Sequence, residues 1–82
     1  MNMSNRAKYD QCFKEAFELD EDANLKELKY MSIEEWDSIG HMSLMSELEE
    51  AFEIEIKTED LIRFESYQQG PDILKLYAVE LD

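Results

Sequence analysis

The stretch Trp36-Asp37-Ser38-Ile39-Gly40-His41-Met42, continuing as SLMSELEEAF to Phe52, decides how the chain is read. Projected at about 100 degrees per residue, it predicts a helix from about Ser38 to Phe52. His41, Leu44, Met45, Leu48, Ala51 and Phe52 fall on one side. Ile39, Met42, Ser43, Ser46, Glu49, Glu50 and Glu53 fall on the other, which sets two apolar side chains among carboxylates.

By residue type alone, Ser38 at a helix start is a cap that accepts backbone N–H bonds. Its position gives it a second use. A negatively charged group placed on its hydroxyl would sit at the positive end of the helix, where unpaired N–H groups favour it by about 0.3 to 1 kcal/mol. Gly40 costs a helix about 1 kcal/mol relative to alanine, which points either to a close approach beside Ser38 or to a helix that begins a turn later. Ile39 and Met42, with Glu49, Glu50 and Glu53 around them, form a candidate docking surface: an apolar centre for affinity and a charged rim for steering. Isolated apolar residues on a surface are also commonplace. No Lys or Arg lies between Tyr30 and Ile56, so the field over this helix is of one sign.

Upstream, Ala7, Cys12, Phe13, Ala16 and Phe17 mark one stripe of a first helix from Ser4, its cap, to about Leu19. Residues 20–24 favour turns, and a long connection follows in which Leu25, Leu28, Tyr30, Met31, Ile33 and Trp36 are expected to pin the loop to the core. Ser32-Ile33-Glu34-Glu35 fits a capping box and a single helical turn. Downstream, Glu53-Ile54-Glu55-Ile56 reads as an extended connector with both isoleucines inward, because four alternating residues without a partner run cannot build a sheet. Thr58 is expected to cap a short third helix with acids in its first turn. Gly70-Pro71 opens the last helix, with Ile73, Leu74, Tyr77 and Leu81 inward.

Composition sets the frame. The 82 residues make one domain, 1–82, which hides roughly 60% of its unfolded surface on folding. Glycine and proline are scarce and helix formers abundant, so an all-α fold is expected. There is no apolar run of about 20 residues to span a membrane. With no basic and apolar leader before the first patterned segment and a single cysteine, a cytoplasmic monomer is the expectation. The net charge of −13 argues against nucleic acid or anionic membrane as partner and for basic protein surfaces. Self-repulsion of that size predicts that salt or Mg2+ stabilises the fold.

Asp37-Ser38-Ile39, the acidic helix behind it, and the order of a first helix, a long pinned loop, a short third helix and a terminal fourth together resemble the acyl and peptidyl carrier proteins. The resemblance covers nearly the whole chain. It implies a four-helix bundle of acyl-carrier type, with a 4'-phosphopantetheine arm taken from CoA and attached covalently to Ser38. Asp37 would help a phosphopantetheinyl transferase place CoA and its metal, while Ile39, Met42, Glu49, Glu50 and Glu53 would face partners. Leu44, Leu48 and Phe52 would be core. The implied partners are that transferase, an acyl- or aminoacyl-activating ligase, and a downstream acyltransferase or synthase. The implied role is that of a carrier with no catalysis of its own. Gly40 stands where the fatty-acid branch has an acidic residue, and His41 and Trp36 also depart from that branch, which points to a specialised pathway.

Other readings fare less well. Asp20, Asp22 and Asn24 match alternate ligands of a calcium loop, but Leu25 and Met31 stand where it needs glycine and glutamate. A nucleophile pair of Cys12 and His41 is disfavoured, since both fall on inward faces. Ser38 has no nearby base to turn it into a nucleophile, so its activation would have to come from a second enzyme. The remaining competitor is an acidic helical interaction module, a DNA mimic or sequestering protein, with no prosthetic group.

Overall fold

In the computed structural model, which describes residues 3–81, α1 spans Asn5–Phe17, α2 Ser38–Phe52, α3 Thr58–Arg63 and α4 Gly70–Lys75. No strand forms among the described residues, and no helix there is long and apolar enough to cross a membrane. The small all-α fold expected from composition is what forms.

Ser4 caps α1 as its sequence position predicts, its Oγ accepting from Ala7 N at 3.1 Å. The helix stops at Phe17, two residues short of the expectation, because Glu18 turns left-handed at φ 53° and returns its N–H to Lys14 O. Cys12, Phe13 and Phe17 are buried as the stripe requires. Tyr9 is buried too, and its hydroxyl donates to Tyr67 O. Phe13 stands at the centre of the core, 5.0 to 6.4 Å from the rings of Tyr9, Phe17, Trp36, Phe64 and Tyr67. In so short a chain, large rings supply the buried area that a small core otherwise lacks.

Leu25, Leu28 and Trp36 pin the long connection, as expected. Tyr30 and Met31 do not: both face outward, Met31 with 64% of its surface exposed. The reason is long-range pairing, since Lys29 bridges to Ser66, Tyr30 N donates to Glu65 O and Tyr67 N donates to Leu28 O, which sets the side-chain direction irrespective of hydropathy. The capping box at Ser32 does not form, because its Oγ folds back to accept from Lys29 N and to donate to Lys29 O; a single turn still closes over Ile33–Trp36, with Trp36 N donating to Ile33 O at 3.1 Å.

Leu44, Met45 and Leu48 fix α2 against α1, whereas Ala51 and Phe52 are only half-buried. The connector is extended, with Ile56 buried and Ile54 half-buried. Thr58 is the first residue of α3 and not its cap; Lys57 holds that place without a side-chain bond. The elements are tied instead by Tyr77, whose hydroxyl accepts from Lys57 N and donates to the buried Asp60. Helix α4 is shorter than its stripe predicts. It ends at Lys75 with the exposed Leu76 as its C-cap, and the chain then runs irregularly with Val79 and Leu81 buried. Gly70 is needed for packing, because a Cβ there would overlap the Tyr9 hydroxyl.

Candidate functional site

The first turn of α2 is built by Asp37. Its Oδ1 accepts from Gly40 N at 2.8 Å, so the cap is Asp37, and Ser38, expected from residue type to be the cap, is the first helical residue. The shift matters chemically. A capping serine commits its oxygen to the backbone, whereas Ser38 keeps its hydroxyl on an exposed side chain at the helix's positive end. The hydroxyl lies 3.0 Å from that of Tyr30, eight residues earlier.

Gly40 proves to be a point of close approach inside the helix. A Cβ there would overlap the carbonyl oxygen of Glu35, so the loop before the motif packs directly on the first turn of α2. His41, one residue on, faces inward. Its Nδ1 accepts from the Trp36 indole N–H at 2.9 Å, which leaves Nε2 to carry the proton and donate to Leu61 O at 2.8 Å. With both ring nitrogens engaged, His41 is not available to Ser38 as a base, and it cannot pair with Cys12. The Cys12 thiol is pushed up to about 12, first by burial and then by the carboxylates of Glu47 and Glu15, so it stays protonated and inert at neutral pH.

A cleft of about 420 Å3 opens beside Ser38 between α2 and α3, lined by Tyr30, His41, Met42, Leu61, Ile62 and Phe64, with Glu65 at its polar edge. Met42 separates it from a shallower groove along the other side of α2 that also begins at Ser38 and runs past Ile39 to Ser46 and Glu47. Ile39 is 79% exposed, Met42 53% and, across the cleft, Ile62 66%. The helical projection thus placed Ile39 and Met42 correctly at the surface, and α3 adds a third apolar residue that local pattern did not signal.

The carboxylates divide. Glu50 and Glu53 are exposed. Glu49 is half-buried, and its Oε2 accepts from Ile56 N at 2.8 Å, tying the connector to the end of α2. Of the three predicted rim residues, Glu49 therefore holds the fold as well as carrying charge. Among the described residues no three His, Cys, Asp or Glu side chains gather as a metal site.

Tyr30, Leu61, Ile62, Phe64 and Glu65 are the site residues that sequence reasoning missed. Nothing within a few residues of Ser38 points to them, because the contacts cross 8 to 27 positions of chain. Comparison of the chain with protein-family models, curated proteins and solved structures finds no match.

Proposed function

We propose that the protein is a carrier of the acyl- or peptidyl-carrier type, with Ser38 as the attachment point of a 4'-phosphopantetheine arm. The observation that carries this reading is the first turn of α2. Because Asp37 takes the cap, the Ser38 hydroxyl is left exposed beside an apolar cleft and flanked by Ile39 and Met42. The residues suit the group: the oxygen is accessible, a phosphodiester there meets the positive end of a helix of 15 residues, and Gly40 is small where the turn is crowded. The order of helices, with a long pinned loop before the motif, also supports a four-helix carrier fold.

The arm, when attached, supplies a terminal thiol that holds an acyl or aminoacyl group as a thioester. The chain itself presents and delivers. Ser38 has no histidine base at hand, so the transferase must supply one. Exposed Ile39, Met42 and Ile62 offer apolar contact, and Glu50 and Glu53 provide the charge that draws a basic groove. Weak, rapid, charge-guided docking suits a protein that each partner must release. A dedicated ligase and a downstream acyltransferase or synthase would be the successive partners, in a specialised pathway.

Intact-mass spectrometry after incubation with CoA, Mg2+ and a broad-specificity phosphopantetheinyl transferase tests this directly. One arm is expected on the wild type and none on Ser38→Ala. A wild type that stays bare would leave an acidic interaction module, for which the charge of −13 is the supporting observation.

A further inference from the structure

Tyr30 is exposed, with 39% of its surface open, yet it is held from two directions. Its backbone N–H donates to Glu65 O at 2.8 Å, its neighbour Lys29 bridges to Ser66, and Met31 N donates to Trp36 O at 2.8 Å. Ser32 Oγ closes the turn on both backbone groups of Lys29. Met31 adopts φ 70°, a left-handed conformation that a residue with a side chain disfavours and that only surrounding contacts can maintain. The Tyr30 ring meets His41 edge-on at 5.5 Å and 74°, and His41 is itself fixed by Trp36 and Leu61. The result of all this restraint is a phenol whose oxygen lies 3.0 Å from Ser38 Oγ. Packing alone gives no reason for a clamped, strained turn to present a half-open tyrosine at that hydroxyl.

We propose that Tyr30 is a positioning residue for the modification of Ser38: its hydroxyl donates to Ser38 Oγ and holds that oxygen in the rotamer from which it reacts. The proposal rests on the carrier reading above. In the attachment step, Ser38 Oγ attacks the CoA phosphorus that bears the pantetheine group. The Oγ–P bond forms as the P–O bond to the second phosphoryl group breaks, and adenosine 3',5'-bisphosphate leaves with the electron pair. The Ser38 proton passes to a base of the transferase. With Tyr30 as donor, one lone pair of Oγ is occupied, the other is free for phosphorus, and the Ser38 proton is left for that base. The bond from Tyr30 strengthens as the proton departs and negative charge gathers on Oγ. Neutral donors matter here because residues 31–55 contain no Lys or Arg to do the same.

Tyr30→Phe keeps the ring and removes the hydroxyl. Three measurements on it and on the wild type test the proposal: the kinetics of arm attachment from CoA with Mg2+ and purified transferase, the Hα–Hβ NMR couplings of Ser38 in the unmodified protein, and the melting temperature. The kcat for attachment should fall about three- to tenfold, the effect of one lost hydrogen bond. KM for the carrier should stay within about twofold, since Ile39, Met42 and Glu50 are untouched. The Ser38 couplings should move from single-rotamer to averaged values while the melting temperature holds. An unchanged kcat, unchanged couplings, or a rate loss matched by a loss of melting temperature overturns the proposal. A wild type that accepts no arm removes the carrier reading and this proposal with it. An armed wild type beside an equally fast Tyr30→Phe removes this proposal alone.

Discussion

Trp36 and His41 lie with their rings nearly parallel, 15° apart, and the indole N–H of one donates to the imidazole Nδ1 of the other at 2.9 Å in the buried core. Through Nε2 the histidine passes the connection on to Leu61 at the back of the cleft, so the motif's tryptophan, the first turn of α2 and α3 form one polar chain. Trp36→Phe removes both ring volume and donor and should cost about 2 to 4 kcal/mol in urea unfolding. His41→Leu should cost a comparable amount, about 2 to 4 kcal/mol, because it strands the buried indole N–H and leaves the Leu61 carbonyl only its long bond from Phe64 N. The double variant should be less destabilised than the sum by about 1 kcal/mol. Strict additivity would show that the hydrogen bond contributes nothing to the fold.

Gly40→Ala tests the close approach to Glu35. Helix propensity alone predicts a gain of about 1 kcal/mol. The overlap of a Cβ with the Glu35 carbonyl predicts a net loss of about 1 to 3 kcal/mol as the loop is pushed away. Thermal or urea melts give the sign, and a more stable variant would contradict the packing described.

Glu49 and Glu50 are neighbours in sequence with different duties. Glu50→Lys should leave the melting temperature nearly unchanged and lower kcat/KM for arm attachment, with the deficit shrinking as salt is raised. Glu49→Lys should also lower stability, by about 1 to 3 kcal/mol, since Ile56 N loses its acceptor. Equal melting temperatures for the two variants would remove the structural role assigned to Glu49.

Stability should fall on the alkaline side. The Cys12 thiol is pushed up from 9.0 to about 12 chiefly by burial, and the phenols of Tyr9 and Tyr67 are raised, in each case first by burial. Each group is held protonated in the fold and ionises more readily once unfolded. Their contribution is therefore complete below about pH 9 and is lost progressively as pH rises from there. Urea midpoints measured across that window should decline, and Cys12 should resist alkylation at neutral pH until the chain is unfolded.

With a net charge of −13 the folded state repels itself, so added NaCl should raise the melting temperature. MgCl2 should act in the same direction and by no more than its ionic strength explains. A saturable rise at low Mg2+ would instead reveal a specific site that no cluster of carboxylates among the described residues offers.

The all-α class, the bounds of α2, the Ser4 cap and the faces on which Leu44, Leu48, Ile39 and Met42 lie were legible in the order of residues. These depend on the helical repeat and on capping within three or four residues, so they can be read locally. The Asp37 cap that leaves Ser38 open spans only three residues, but residue type alone does not rank Asp37 against Ser38 for it. Contacts between segments set the rest: they turned Tyr30 out of the expected core and onto Ser38 and joined His41 to the carbonyl of Leu61. Those outcomes depend on pairings such as Lys29 with Ser66 and His41 with Leu61, where distant segments meet, and no local pattern encodes which oxygen a neighbouring segment will bring within reach.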